Sequence, residues 1–246
     1  MKLLNSQRDI SLLQLNKKEI LVIACDSAGG LGEKAQDQLR VSNKILGRYT
    51  VKVPLMELMS LGAEVITVVD NLAVEYEPTG REIIAGIKEN LALINKCELL
   101  NGSTEENFKT VQTALGVTVI GKVSIKKLKR YTSSTRNNLI AAVGLPLVGD
   151  ELLKNRSQAV NFKNFLQLKK LSYIEQFLPV GSKGILYEAK ILAEENNFDF
   201  KLIKNKVDLE KSAGPAAVVL VSLKEKDLVK LKKEIKLPVN TVGRLV

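Results

Sequence analysis

The stretch CDSAGGLGEKAQD, Cys25–Asp37, decides the reading of this chain. It follows the short apolar run Ile20–Ala24, which has the length and composition of a buried strand. Beyond that strand come an acid (Asp26), the glycines Gly29, Gly30 and Gly32, the lysine Lys34 and a second acid (Asp37). Glycines let a backbone approach a ligand closely with its N–H groups exposed. Lys34 can neutralise phosphate charge, and Asp26 or Asp37 can hold a hard cation such as Mg²⁺. The combination suits a nucleotide polyphosphate, although a plain loop after a strand draws on the same turn residues. It is neither of the standard phosphate loops. No G-x-x-x-x-G-K-[ST] occurs, and Ala35 and Gln36 follow Gly30 and Gly32 where a dinucleotide fingerprint needs its third glycine.

Composition narrows the chemistry. The chain has 246 residues, enough for one large domain or two smaller ones. With 45% hydrophobic residues, 4% aromatics and no Trp, it builds an aliphatic core. Histidine is absent, which excludes a Ser-His-Asp triad, a Cys-His dyad and any His-ligated zinc site. Cys25 and Cys97 are too few for a four-cysteine site, and nothing else in the chain points to secretion and a disulfide. Carboxylates, lysines, hydroxyls and amides remain. They match phosphoryl transfer, where positioning and electrostatics do most of the catalysis.

The net charge is +10. Nucleic acid is one partner that such a charge fits, but the lysines are scattered and stacking aromatics are scarce. Lys224–Lys236 alternates with Glu225, Asp227 and Glu234 and reads as a solvated helix face. An anionic small ligand fits a basic surface equally well. No apolar run is long enough for a signal peptide or a membrane span, so a cytoplasmic protein with no membrane or nucleic-acid partner is expected.

Along the chain, Leu12–Leu15 and Ile20–Ala24 read as strands joined by the polar turn Asn16–Glu19. Tyr49–Val53 reads as a strand or the start of a helix, with Pro54 in a helical first turn and Gly62 as the stop. Ala63–Val69 is a β-rich run, and Thr79–Asn95 carries apolar residues at helical spacing. Glu98–Leu100 gives a short strand leading into Asn101–Asn107, and Val117–Val123 another strand. Lys126–Asn138 is polar and loop-like, with a domain boundary expected near Arg130: residues 1–130 and 131–246. The second half offers a strand at Asn138–Gly144, a helix after Gly149, a Gly-rich turn and helix in Leu178–Asn197, a strand at Ala216–Val221, and a final helix and strand. The alternation specifies an α/β (α+β) class.

The order of these pieces resembles the aminoimidazole ribonucleotide synthetase-like family of ATP-binding proteins. Arg8-Asp9-Ile10-Ser11-Leu12-Leu13 is similar to its acidic D-A-A-V-I opening, and Asp26 with Gly30-Leu31-Gly32-Glu33-Lys34 is similar to D-G-V-G-T-K. Glu57-Leu58-Met59-Ser60-Leu61-Gly62-Ala63 is similar to the helix D-I-x-A-M-G-A, and Asn101-Gly102-Ser103-Thr104-Glu105-Glu106 to the turn G-G-E-T-A-E or G-G-D-T. The second half matches more loosely, through Gly149-Asp150 and the terminal elements, and is shorter than in typical members.

The resemblance implies a two-domain fold. Its N-terminal domain forms a barrel across the interface of a homodimer, and its C-terminal domain is an α/β sandwich. It implies ATP and Mg²⁺, with Lys34 and Asp26 as catalytic residues. Gly29, Gly30, Gly32, Asn101, Gly102, Ser103, Thr104 and Lys183 would bind the nucleotide. Asp9, Asp26, Asp37, Glu57, Glu105 and Glu106 would hold metal, with Glu105 or Glu106 standing in for the acid that Ser103 replaces. Within the family, Asp26-Ser27, Ser103–Phe108, Gly116–Gly121 and Gly181–Gly184 most resemble the α-ribazole kinases, which phosphorylate a nucleoside-like acceptor in salvage of the cobalamin lower ligand. Another kinase or synthetase of the family, such as a thiamine-phosphate kinase, and a non-catalytic ATP-binding regulator are the open alternatives.

Overall fold

A computed structural model describes residues 2–4 and 9–246; Arg8, quoted with the opening motif, lies outside the described residues. The chain divides into two compact units, Met1–Met59 with Ala63–Ser124, and Ser60–Gly62 with Ile125–Val246.

The first unit runs β1 (Lys2–Leu4), β2 (Ile10–Gln14), β3 (Glu19–Gly29), β4 (Leu31–Gly32), β5 (Leu39–Arg40), α1 (Asn43–Ser60), β6 (Glu64–Leu72), α2 (Arg81–Ala92), β7 (Leu100–Thr104) and β8 (Ala114–Ser124). Six strands form one sheet in the order β1-β2-β3-β8-β6-β7, mostly antiparallel, with β6–β7 the parallel pair. The sheet follows from period-two patterning. In β3, Ile20, Val22 and Ala24 are buried while Leu21 and Ile23 are half-buried, so one face meets the helices and the other does not. Leu55, Leu58, Ile83, Ile87 and Leu91 fill the helix side with no exposed surface. Each such side chain contributes about 1.5–3 kcal/mol relative to an exposed one.

The helices α1 and α2 meet at glycines. A Cβ on Gly47 would lie 2.1 Å from Ile83 O, and one on Gly86 would lie 1.9 Å from Lys44 O. This crossing explains why α1 starts earlier than its sequence suggests. Tyr49–Val53 is neither a strand nor a helix start but the middle of α1, and Pro54 sits inside the helix rather than in its first turn. Burial against α2 and the sheet holds the helix through Pro54 despite the lost N–H. Gly62, at φ +74°, ends it as expected.

The second unit runs α3 (Ile125–Tyr131), β9 (Leu139–Val143), α4 (Gly149–Lys154), α5 (Phe162–Leu168), β10 (Ile174–Val180), α6 (Gly184–Glu195), β11 (Phe200–Leu202), β12 (Val218–Leu223), α7 (Leu228–Glu234) and β13 (Val239–Leu245). Its five-stranded sheet has the order β10-β12-β9-β13-β11 and is antiparallel throughout. β9 and β12 are buried at every residue, so both faces are covered. Ile185, Ala189 and Leu192 of α6 join Ile140, Leu178 and Leu220 in one cluster. Phe165 of α5 stands edge-on to Phe177 with ring centres 6.2 Å apart.

Two sequence expectations change here. Lys126–Asn138 is not all loop, because Ile125–Tyr131 is helical. The short strand expected at Glu98–Leu100 begins only at Leu100, after a 3₁₀ turn over Cys97–Leu99. No helix among the described residues is long and apolar enough to cross a membrane.

Candidate functional site

The Gly-rich segment leaves β3 and folds into a lobe sewn to the chain just before β8. Gly30 N donates to Thr113 O at 2.8 Å, Gln38 N to Gly30 O at 2.7 Å, and Gln36 N to Val111 O at 3.1 Å. Asp37 is the brace of this lobe. Its carboxylate accepts from Thr113 N at 2.8 Å, Thr113 Oγ1 at 2.7 Å and Lys34 N at 2.9 Å. Burial raises its pKa, but those donors outweigh burial and hold the carboxyl below its ordinary value. Gly32 is required by the same brace. At φ +148°, a Cβ there would lie 2.5 Å from Thr113 Oγ1 and 2.7 Å from Asp37 Oδ2.

Lys34 is fixed by this lobe. Its ammonium is ion-paired with Glu75 and donates to Thr110 O at 3.2 Å. Thr110 Oγ1 also donates to Glu75 at 3.1 Å. The Lys34 hydrogen bond is the main reason that Glu75 stays below its ordinary pKa. The Lys34 side chain is 10% exposed and that of Glu75 27%, so solvent reaches the pair from the Glu75 side. Glu106 extends the network, accepting from Tyr76 N at 2.9 Å and Thr104 Oγ1 at 2.6 Å. Glu105 accepts from Asn107 N at 2.7 Å and Phe108 N at 3.2 Å, which shapes the turn after β7.

A second group lies on the buried face of the sheet. Asp26 on β3 and Asp70 on β6 both stand opposite Val117 of β8. Burial pushes Asp26 up to about 6, against the Ser27 backbone N–H and the Lys52 charge, which lower it. Lys52, on α1, is fully enclosed, and burial drops its pKa to about 7 while Asp26 raises it. Burial likewise pushes Asp70 up to about 6, with Lys88 opposing.

The remaining expected residues are spread out. Asp9 is exposed just before β2, and Glu57 is half-buried on α1. Asn101, Gly102 and Ser103 are exposed on β7, with Asn101 Oδ1 accepting from Gly102 N at 2.9 Å. Gly29 has open space where a side chain would be. Lys183 belongs to the second unit, in the turn before α6, with its ammonium 4.5 Å from the centre of the Tyr187 ring.

The structure therefore brings Lys34, Asp37, Thr104 and Glu106 into one bonded region and leaves Asp9 outside its hydrogen bonds. Glu75, Thr110, Lys52 and Asp70 complete the two groups without having been singled out in the sequence. Two of them carried a signal: Lys52 interrupts the apolar run TVKV and Asp70 ends the apolar run VITVV.

Among the described residues of one chain, no three Asp, Glu or Cys side chains gather as a metal set. Asp37, Glu105 and Glu106 already accept protein donors. One chain therefore holds no all-protein cage among the described residues; Mg²⁺ in general arrives on phosphate oxygens, with one or two carboxylates and water completing its shell.

Comparison with known proteins agrees with this architecture. Residues 7–123 match the family model for AIR synthase related protein, N-terminal domain. The thiamine-monophosphate kinase from Stenotrophomonas maltophilia K279a is 18% identical, with a TM-score of 0.62 over 99% of this chain and 88% of that one. The hydrogenase maturation protein HypE of E. coli is 10% identical, with a TM-score of 0.64 over 92% of this chain and 79% of that one. The T. maritima PurL complexed with ATP is 17% identical, with a TM-score of 0.54 over 97% of this chain but 37% of that one. No curated protein matches. This chain thus has the fold of the AIR synthase-related proteins, with their N-terminal domain recognisable over residues 7–123.

Proposed function

We propose that this chain is an ATP- and Mg²⁺-dependent phosphotransferase that phosphorylates the ribose 5′-hydroxyl of α-ribazole, giving α-ribazole 5′-phosphate and ADP. The observation that carries the reading is Lys34, a nearly buried cation held by Glu75 at the rim of a rigid glycine lobe. An arriving polyphosphate can replace or share Glu75 as its partner, and this exchange places charge where the transferring group needs it.

The other residues divide the work. Gly29 leaves room for phosphate oxygens beside the lobe, whereas the space at Gly30 is taken by Gln112 and Gln38. Asn101 and Ser103 offer side-chain donors, while Gly102 N and Thr104 Oγ1 would exchange their present acceptors, Asn101 Oδ1 and Glu106, for phosphate oxygens. Asp26, once ionised, would hold one Mg²⁺ on phosphate oxygens; Glu105 or Glu106, past the end of β7 and three strands from β3, would take the role of the acid that Ser103 replaces at a separate position, with Asp37, Asp9 and Glu57 the further candidates. Lys183 supplies a cation from the second unit. Mg²⁺, when bound, neutralises the β- and γ-phosphate oxygens. In the reaction the acceptor oxygen forms a bond to the γ-phosphorus. The bond from that phosphorus to the β–γ bridging oxygen breaks, and the hydroxyl proton is released to solvent. Tyr76, 44% exposed, and Phe108, 77% exposed, provide aromatic faces for a heterocyclic base.

A homodimer fits the outer face of the six-stranded sheet. Leu21 and Ile23 are half-buried there, and Ile66 is 40% exposed. A second copy covering this face would close the two sheets into a barrel and remove an apolar surface from water. Residues 1–130 would form this nucleotide-binding half and 131–246 the acceptor half, in a cytoplasmic enzyme.

The likeness to a thiamine-monophosphate kinase supports a different small acceptor as the second reading, and Ser103 in an acid's place supports a non-catalytic ATP binder. The test is to incubate the protein with Mg²⁺-ATP and α-ribazole and weigh the products. A product heavier by one phosphoryl group, absent with Asp26→Ala, supports the proposal. No such product, with thiamine phosphate phosphorylated instead, would replace the acceptor. ATP binding with no phosphorylated product would favour the regulator.

A further inference from the structure

The second unit contains a cleft of about 300 Å³, made by the end of α3, the segment after it, the turn after α5 and the start of β10. It belongs to neither group described above. Tyr131, Leu171, Ile174 and Phe177 give it an apolar wall, while Arg130 and Lys169 give it two cations.

Lys169 is held in place, and Arg130 stands exposed beside it. The Lys169 ammonium stands 5.2 Å from the centre of the Tyr131 ring and 5.9 Å from that of Phe165. The Tyr131 ring is itself backed by Gly62, where a Cβ would lie 2.5 Å from Tyr131 Cδ2. The acid in the lining, Glu175, is already engaged, accepting from Thr135 N and Asn138 Nδ2, each at 2.7 Å. The Ser134 hydroxyl donates to Gln176 at 2.9 Å and that of Ser133 to Lys129 O, leaving the exposed Thr135 and Ser172 hydroxyls at the rim.

We propose that this cleft binds a small organic phosphate monoester, with the phosphate between Lys169 and Arg130 and the organic body against the Tyr131 ring. The charges argue for this class of ligand. A phosphate monoester carries about −1.5 to −2 at neutral pH, which matches two cations facing one engaged acid. The mixed lining argues for a body rather than a bare ion, because apolar wall beside fixed polar groups is how small-ligand sites are built. Burial and the neighbouring Lys127 charge lower Lys169 to about 8, so it is still mainly protonated at pH 7, and an anion beside it would reinforce that state.

The test is calorimetric titration of the full chain with phenyl phosphate, inorganic phosphate and phenol. The proposal expects phenyl phosphate to bind at least tenfold tighter than inorganic phosphate, with no heat from phenol. Lys169→Met and Arg130→Gln each weaken phenyl phosphate at least tenfold, while saturating ATP leaves its affinity unchanged. Arg130 is exposed, so its replacement does not threaten folding. Equal affinity in Arg130→Gln and wild type would overturn the site. Equal binding of phenyl phosphate and inorganic phosphate would overturn the ligand class. Competition by ATP would move the binding to the glycine lobe.

Discussion

Asp26 and Asp70 face the same residue, Val117, from the two strands that flank β8. Residues paired across a sheet share a face, so both carboxyls lie on the buried side, about 10 Å apart at two strand spacings. That is too far for both to ligate one ion. Both are pushed up to about 6, which sets a common pH at which this face acquires negative charge. Asp26 must be ionised to serve a metal, so activity is expected to fall as pH drops through about 6. Lys52 lowers the Asp26 pKa, and removing it has a defined effect. Lys52→Met moves the acid limb of the rate profile upward by about a unit. A limb that stays in place in this variant separates the limb from Asp26.

Lys52 also gives a stability prediction. Its folded pKa of about 7 lies below the ordinary 10.5. Between those values the unfolded chain binds the extra proton, so wild-type stability rises with pH across that window. Urea unfolding at pH 7 and pH 9.5 should show this rise in wild type and a smaller one in Lys52→Met.

Gly102 and Asp70 are neighbours in the parallel β6–β7 pair, and a Cβ on Gly102 would lie 1.7 Å from Asp70 Oδ1. Gly102→Ala is expected to destabilise the first unit by about 1–3 kcal/mol or more. Asp70→Asn keeps the shape and removes the buried charge. Because the folded pKa lies above the ordinary 3.8, the charge destabilises fully above about pH 6, and the penalty fades as pH falls toward 4. Asp70→Asn should therefore be more stable than wild type at pH 7, by about 1–3 kcal/mol, and equal to it near pH 4. Denaturant midpoints across pH check this.

Lys34 and Glu75 separate binding from folding. Lys34 is nearly buried while Glu75 keeps contact with solvent, so Lys34→Met should lower stability by about 1–3 kcal/mol, which leaves the protein folded. The same change should lower phosphoryl transfer by about 10²–10³-fold. Steady-state rates and thermal melts on one preparation distinguish the two effects.

The outer sheet face predicts assembly. Ile23→Asp places a charge at the centre of the apolar face and should convert a dimer into a monomer, read by analytical ultracentrifugation. A wild-type monomer at micromolar concentration would contradict the barrel.

The parts of the fold that sequence revealed are those that local patterning controls. β2, β3, β6 and β8 overlap the apolar runs read as strands and α2 has helical spacing, but β3 continues past Ala24 to Gly29, so Asp26 and Gly29 are strand residues and the lobe begins only at Gly30. Residues that act through distant partners stayed hidden. Lys34 could be picked from its glycines, but Glu75 lies 41 residues away and is identified only when folding brings the pair together. Tyr49–Val53 is β-branched and precedes a proline, so local propensity opposed the helix that packing against Gly86 imposes. The charges of Ile125–Tyr131 hid a short helix. Gly32 and Gly102 were chosen as phosphate contacts, and the structure adds another demand on each, close contact with Asp37–Thr113 and with Asp70.

Calorimetric titration of ATP, with and without Mg²⁺, tests the central claim most directly. The account predicts micromolar binding that requires Mg²⁺ and weakens at least tenfold in both Asp26→Ala and Lys34→Met. No binding by the folded wild type, or binding that both variants retain unchanged, would contradict it and leave the glycine lobe as a structural loop.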